Sequence, residues 1–309
     1  MNRTHALSCS ILASGLLAAT ALAQTYVPLP FEDNFANGVQ VNSDTITNFW
    51  NSFTSSSNGN LTEQGGNWVF IAGPHGTTTG APLTSFPSVS ALSRNSGEQK
   101  YFNLFDADFG LQVRGIHIEF LAGDGPGTGT VRTAEAGRAR FGLTRGSSTS
   151  SAAEAIALMF TGHGRIMIGS KLGAISGDPE SMASTRALDF TLPGNAPATG
   201  FDFWMDEPVD GVYSRFNLRV YYGENETYVT NVAFKTAFTA ADWGGGDGKA
   251  HLQLGAQRTS ATDPQDSVRI TIGSVAVTPI LTTGLYLIGY IPPQRLDVKA
   301  AIRPKTELN

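Results

Sequence analysis

His117 and Glu119 have the residue types and spacing of an acid–base pair. They lie in the segment RGIHIEF, residues 114–120, in which apolar and polar side chains alternate. Because a β-strand sends successive side chains to opposite faces, the segment predicts a strand with Ile116 and Ile118 towards the core and His117 and Glu119 towards solvent. The pair could transfer protons in catalysis. Alternatively, the two are ordinary solvated residues on the outer face of a sheet.

Polar side chains also recur on one side of several later predicted strands. If these strands share one sheet, the arginines could hold a carboxylate through paired hydrogen bonds and a tyrosine could offer a flat apolar surface. The simpler alternative is that polar residues fill the outer faces of any sandwich. The catalytic candidates are His117, Glu119, Tyr221, Arg138 and Arg140. The ligand-binding candidates are Arg219, His251, Gln253 and Trp243, the last within a glycine-rich stretch that would expose it as a platform.

The elements that position these residues are predicted to be strands. The 309 residues include 35 glycines, and only 15% are charged, a composition that favours strands and turns over long helices. Ten segments predicted as strands follow residue 110, several of them cleanly alternating, and the segments between them hold Gly, Pro, Asp and Asn. Residues 150–158 fit either a helix or a buried strand. We therefore expect an all-β, two-sheet antiparallel sandwich.

The two ends of the chain have a different character from the middle. Residues 1–23 have a short basic head, an apolar run and an A-x-A site, as in a secretory signal peptide. We expect residues 24–279 to form one domain that is secreted or held at the cell surface. Residues 280–309 are expected to be a disordered tail or the remnant of a sorting signal. Their apolar run is too short for a membrane span, so no membrane anchor is expected.

Motifs near the predicted mature start resemble the concanavalin A-like (laminin G-like) jelly rolls. An F-x-D-x-F strand leads to a tryptophan, and a G-G-x-W strand follows; the matching residues are Phe31, Asp33, Phe35, Trp50, Gly65, Gly66 and Trp68. The segments RFGL, FNLRVYY and ITIGSVAV continue the pattern. The resemblance covers residues 31–277 and implies a jelly-roll sandwich. It also implies a carbohydrate ligand, since this superfamily contains lectins, glycoside hydrolases and polysaccharide lyases.

The catalytic signatures of that superfamily are incomplete here. Its glucanases carry a three-acid strand, whereas the nearest acidic pairs in this chain are Asp106 with Asp108 and Asp202 with Asp206. Its alginate-lyase-like members carry Q-I-H, but Gly115 occupies the position of the glutamine. The arginine strand also follows the histidine, in the reverse of the family order.

Several other classes of function are not expected. The net charge is −5 with no basic run, which disfavours nucleic-acid binding. No nucleotide-binding fingerprint occurs, and the scattered histidines do not make a zinc motif. No cofactor is expected to be required. The loops AGDGPGTG and GGGDGK could supply oxygen ligands to a structural calcium ion, although plain turns explain them too.

The leading hypothesis is a secreted protein that binds an extracellular polysaccharide without cleaving it. One alternative is a glycoside hydrolase or uronate lyase, with His117 or Tyr221 as the base and Arg138, Arg140 or Arg219 holding the uronate. A second alternative is a matrix or adhesion module that binds protein.

Overall fold

The computed structural model describes residues 26–54, 59–72, 88–93, 101–106, 109–121, 137–145, 154–172, 186–243, 246–258 and 267–279. Apart from a short 3-10 turn at Pro193–Asn195, the regular elements in these ranges are β-strands, numbered β1 to β18 in chain order. The predicted signal peptide and C-terminal tail lie outside the described residues.

A six-stranded sheet joins the two ends of the domain. Its order is β1-β18-β7-β13-β14-β15, and every neighbouring pair is antiparallel. Its strands are β1 Phe31–Asp33, β18 Ser274–Pro279, β7 Phe109–Arg114, β13 Ala198–Met205, β14 Val212–Tyr222 and β15 Glu226–Thr239.

An eight-stranded sheet forms the second layer. Its order is β12-β11-β10-β9-β16-β5-β2, and β6 pairs with β16. Its strands are β2 Trp50–Thr54, β5 Ser88–Ser93, β6 Phe102–Asn103, β9 Gly137–Thr144, β10 Glu154–Thr161, β11 Arg165–Leu172, β12 Arg186–Thr191 and β16 Lys249–Arg258. A smaller sheet has the order β3-β4-β17-β8, from β3 Gly59–Glu63, β4 Trp68–Ala72, β8 His117–Leu121 and β17 Ser267–Ile272.

The predicted all-β antiparallel sandwich is confirmed. Each of the ten segments predicted as strands after residue 110 contains a strand, and the ambiguous apolar stretch near residue 156 is β10 rather than a helix. Strand β10 lies between β9 and β11 with Leu158 and Phe160 fully buried. Pairing on both edges favours the extended form, because a helix would leave its two neighbours without backbone partners.

The chain passes between sheets at two glycines, Gly115 and Gly273. The segment from residue 111 was predicted as one strand, but it breaks at Gly115, where β7 of the six-stranded sheet ends before β8 of the smaller sheet. The buried positions change phase at the same point, from Leu111 and Val113 to Ile116. Gly115 has φ +67°, and a Cβ there would lie 2.8 Å from the backbone nitrogen of Gly273. Gly273 makes the matching break between β17 and β18, and its N–H donates to the Arg114 carbonyl at 2.8 Å. Because neither glycine carries a side chain, the two paired chain segments can bend together at this point, from the β7–β18 pair into the β8–β17 pair.

The core lies between the two large sheets and is rich in aromatic rings. Phe141 and Phe160 from the eight-stranded sheet meet Phe201 from the six-stranded sheet, with ring centroids 5.0 Å from Phe201 in both pairs. Near the chain start, Trp50 and Trp68 are buried with centroids 4.8 Å apart. Both rings occupy the core, and offset or edge-on aromatic pairs stabilise beyond the area they bury.

Candidate functional site

The residues singled out from the sequence lie in four different places. The smaller sheet holds His117 and Glu119 on β8, and the six-stranded sheet holds Arg219 and Tyr221 on β14. The eight-stranded sheet holds Arg138 and Arg140 on β9 and His251 and Gln253 on β16. Trp243 follows β15. No single sheet therefore carries the whole predicted set.

The pair on β8 has the predicted orientation. His117 and Glu119 are exposed and Ile116 is buried, as the alternation required. Glu119 is in register with Arg269 and His117 with Thr271. The proposed base His117 and the arginines Arg138 and Arg140 therefore stand in different sheets.

Trp243 is not an exposed platform. Its side chain is fully buried, and its indole N–H donates to the Lys249 carbonyl at 2.9 Å. The ring also contacts Phe238, with centroids 6.0 Å apart. Burial of a large apolar ring outweighs the mobility that glycine neighbours suggest, so this residue is a core anchor.

Four predicted residues do share one face of the eight-stranded sheet. On adjacent strands, Arg140 is in register with Gly255 and Gln253 with Gly142, which makes Arg140 and Gln253 diagonal neighbours. The exposures of Arg138, Arg140, His251 and Gln253 are 4%, 8%, 1% and 0%. This face, which we term the arginine face, is consequently closed to solvent rather than an open groove.

Burial sets the protonation of the arginine face. It lowers the pKa of Arg140 to about 10, so the guanidinium remains charged at neutral pH. It lowers the pKa of His251 to about 4, so the ring is neutral. Because His251 Nδ1 meets the Ser93 carbonyl oxygen, that nitrogen carries the proton and donates. The amide of Gln253 is buried without a hydrogen-bond partner among the described residues.

The outer face of the six-stranded sheet is partly open and carries a different cluster. Arg114 donates from Nη2 to Asp202 Oδ1 at 2.5 Å, and Tyr221 donates to Asp202 Oδ2 at 2.6 Å. The Arg114 guanidinium also lies 4.2 Å from the Tyr221 ring centroid. Burial, and then the neighbouring Asp202, raise the pKa of Tyr221. Arg219 is in register with Asp202 on the next strand.

A second polar cluster lies along the same face, at the end of β13. Asn231 donates to Asp206 Oδ2 at 2.8 Å and to Asn217 Oδ1 at 2.9 Å. Asn217 donates to the other oxygen of Asp206, and Arg215 Nε donates to Asn231 Oδ1 at 2.5 Å. Interlocked hydrogen bonds hold these side chains in one arrangement.

Trp204 lies between the two clusters. It shares a strand face with Asp202 and is only half-buried. Its register partners are Gly110 and Asn217, and Gly110 has no side chain to cover the indole. Among the described residues, no ring packs on Trp204 and no group accepts from its N–H. We term Trp204 and its two flanking clusters the polar face.

Sequence reasoning identified only part of the polar face. It singled out Arg219, Tyr221, Asp202 and Asp206, but not Arg114. Arg114 reaches Asp202 across Gly200, where a Cβ would lie 3.0 Å from Arg114 Cδ. That crossing depends on the pairing of β7 with β13, which alternation within one strand does not reveal.

No metal centre forms within the described ranges. They contain no group of three histidine, cysteine or acidic side chains placed to hold an ion. Asp247, from the predicted calcium loop GGGDGK, has a carboxylate oxygen 3.3 Å from Lys249 Nζ. The other loop, AGDGPGTG, lies outside the described residues, and the calcium ion stays a prediction. In the described part of the chain, no helix has the length and apolar character needed to cross a membrane.

Comparison with solved structures returns carbohydrate-binding and carbohydrate-cleaving proteins. The laminarinase from Rhodothermus marinus is 11% identical with a TM-score of 0.44, and the match covers 82% of this chain and 100% of that one. The Emp47p carbohydrate recognition domain is 12% identical with a TM-score of 0.42, over 78% and 93%. The lectin from Bauhinia forficata, in complex with GalNAc, is 11% identical with a TM-score of 0.37, over 82% and 100%.

Neither a family model nor a curated protein matches the sequence. The architecture described above rests on the strand order and pairing of this chain. The similarities carry no residue role from those proteins to this one.

Proposed function

We propose that this protein binds carbohydrate through the polar face of the six-stranded sheet. The observation that carries the proposal is Trp204, a partly exposed indole placed between two hydrogen-bonded clusters of Asp, Asn, Arg and Tyr side chains. A sugar ring has an apolar face that stacks on an aromatic surface and hydroxyl groups that need both donors and acceptors. The polar face offers both kinds of contact.

The hydrogen bonds within the clusters favour binding because they fix the side chains before a ligand arrives. Asp202 is held by Arg114 and Tyr221, and Asp206 by two asparagines. Preformed groups lose little rotamer entropy on binding, which raises affinity for a given set of contacts.

A polysaccharide is the proposed ligand because the face is extended. Asn217 and Tyr221 are four residues apart on β14, a separation of about 14 Å along a strand, with Arg219 between them. Such a surface accommodates more than one sugar ring. Secretion or cell-surface location forms part of the same proposal, and the signal-like pattern of residues 1–23 supports it.

Cleavage of the glycan is not included in the proposal. The predicted base His117 stands in a different sheet from all three candidate arginines. The other predicted base, Tyr221, shares β14 with Arg219, but its hydroxyl donates to Asp202. The carboxylates of Asp202 and Asp206 are engaged by neighbours on β7, β14 and β15. A hydrolase needs a pair of carboxyl groups flanking the bond to be cleaved. The binding experiment below distinguishes glycan binding from the two alternatives, an enzyme that cleaves the glycan and a module that binds protein.

The test is binding of the purified protein to a panel of soluble and insoluble polysaccharides. We expect retention on at least one glycan without new reducing ends or unsaturated uronate. Trp204→Ala should weaken that binding about tenfold, about 1.4 kcal/mol, because it removes the stacking surface. The matched variant Trp204→Phe keeps a ring and should retain most of the affinity.

Three results would overturn the proposal. Release of product from any polymer would make the protein an enzyme. Equal binding by the wild-type protein and Trp204→Ala would move the site away from the polar face. Failure to bind every glycan, combined with binding to matrix proteins, would point to an adhesion module.

A further inference from the structure

A cavity of about 290 Å³ opens at the Asp206 end of the polar face. It lies between the segment before β7, the turn after β13 and the start of β14. Its nine lining residues include Phe105, Asp106, Asp206, Glu207 and Tyr213, and the other four are apolar. Pockets for drug-sized ligands begin at about 300 Å³, so this one suits a smaller guest such as one sugar ring.

Aromatic rings form one wall of the cavity. Phe105 and Tyr213 stack with centroids 5.0 Å apart at 30°. Tyr213 in turn stacks on the buried Phe238 at 5.4 Å and 16°. The Tyr213 ring is therefore fixed by contacts with two other rings, and with Phe105 it contributes apolar surface to the lining of the cavity.

The polar part of the wall is also preformed. The Asp106 N–H donates to the Asn103 carbonyl at 3.1 Å, and the Phe109 N–H donates to the Asp106 carbonyl at 2.9 Å. These bonds define the turn that carries Asp106. On the opposite side, the Asp206 N–H donates to the Arg215 carbonyl at 3.2 Å.

Asp206 connects the cavity to the polar face. It lines the cavity, and its carboxylate accepts hydrogen bonds from Asn217 and Asn231 of the second polar cluster. A glycan bound along β14 would consequently reach the cavity with one of its end residues.

The charge of the lining selects among sugars. Asp106, Asp206 and Glu207 are acidic, and none of the nine lining residues is basic. Carboxylates accept hydrogen bonds from hydroxyl or amino groups but repel another carboxylate. The buried arginines of the eight-stranded sheet have the opposite preference, but they are closed to solvent.

We propose that this cavity is a subsite for one sugar ring without a carboxylate, at the end of the glycan bound on the polar face, and that uronates are excluded from it. The inference rests on the proposed function and specifies its ligand class. The aromatic wall provides affinity, the oriented Asp206 provides hydrogen-bond acceptance, and Asp106 and Glu207 provide the discrimination against acidic sugars.

In the experiment, the full protein is titrated with methyl glucoside, glucosamine or glucuronate. Binding is measured by calorimetry and by NMR of the aromatic protons of Phe105 and Tyr213. The first two sugars should bind and shift these resonances, and glucuronate should bind less tightly. Exposed charge pairs contribute up to about 1 kcal/mol, so Glu207→Lys should improve glucuronate binding by up to about fivefold. The control Glu224→Lys makes the same charge change in the turn between β14 and β15 and should leave the order of affinities unaltered.

The outcomes separate this inference from the proposed function. If glucuronate binds as well as methyl glucoside, or if Glu207→Lys and Glu224→Lys have equal effects, the subsite is wrong. If polymers bind in a Trp204-dependent way but no small sugar shifts Phe105 or Tyr213, the subsite is wrong and the polar face stands. If the small sugars shift these rings while no polymer is retained, the polar face is wrong.

Discussion

Asp33 should make folding stability depend on pH in a direction unusual for a carboxylate. It is fully buried, where it accepts hydrogen bonds from the Trp50 indole at 2.6 Å and the Phe35 N–H at 3.0 Å. Burial raises the pKa of Asp33 from 3.8 to about 6, against the opposing effect of these two donors. The folded protein thus keeps the proton over a range in which the unfolded chain has lost it.

The magnitude follows from linkage. A raised folded-state pKa means that the folded state binds more protons between pH 3.8 and about 6, so stability falls as pH rises through that window. About two pKa units correspond to about 3 kcal/mol, of which about 2.4 kcal/mol is lost between pH 4 and pH 7. Above the folded-state pKa the contribution is constant.

The assay compares urea unfolding of the wild-type protein and Asp33→Asn from pH 4 to pH 7, monitored by tryptophan fluorescence. The amide side chain of the variant does not titrate, so the wild-type free energy of unfolding minus that of the variant should fall by about 2.4 kcal/mol across this range. The absolute stability of the variant is less informative, because an amide oxygen cannot accept from both donors as the carboxylate does. Glu32→Gln, at the exposed neighbouring position on β1, should show no such change.

The difference curve is required because His251 has the opposite effect in an overlapping range. Burial lowers its pKa to about 4, so the wild-type curve alone combines two slopes that partly cancel. A wild-type minus Asp33→Asn difference that is flat, or that rises with pH, would refute the account of Asp33.

Further predictions concern His251, the core and Gly200. Burial lowers the folded-state pKa of His251 from 6.5 to about 4, so the free energy of unfolding should fall by about 3 kcal/mol as pH falls through that window. NMR should show a neutral His251 ring at pH 6. Phe201→Ala should cost about 3–5 kcal/mol in urea unfolding, because it empties the centre of the aromatic core. Gly200→Ala should cost about 1–3 kcal/mol, because its Cβ would lie 2.9 Å from the Val113 carbonyl oxygen and displace Arg114; the exposed neighbour Thr199→Ala should change little.

Strand positions and facing could be predicted because they depend on local alternation. Phe141, Leu143 and Phe216, for example, are buried as their period-two pattern required. The break at Gly115 leaves a trace in the sequence, because the apolar positions change phase there, from Leu111 and Val113 to Ile116 and Ile118. The segment was nevertheless predicted as one strand. What breaks the strand is the close approach of Gly273, which is distant in the sequence.

The candidate site was predicted less completely than the fold. Polar residues on an outward strand face are visible in the sequence, and Arg219 and Tyr221 were found in this way. Arg114, which contacts Tyr221, depends on the pairing of β7 with β13. The cavity lined by Asp106, Glu207 and Tyr213 depends on turns brought together from distant segments. Trp243 was considered as an exposed platform because of its glycine neighbours, whereas the fold has a core position for its ring.

The sequence by itself determined that this chain forms antiparallel strands in layers, because side-chain alternation and turn residues act over a few neighbouring positions. His117 and Glu119 show the boundary of that information, since alternation places both in solvent but does not assign them to a sheet. The tertiary structure decided that they stand in the smaller sheet, that the arginines of β9 are buried, and that Trp204 is partly exposed beside its polar neighbours. Sheet membership and burial are set by contacts between residues far apart in the chain, which a local pattern does not encode.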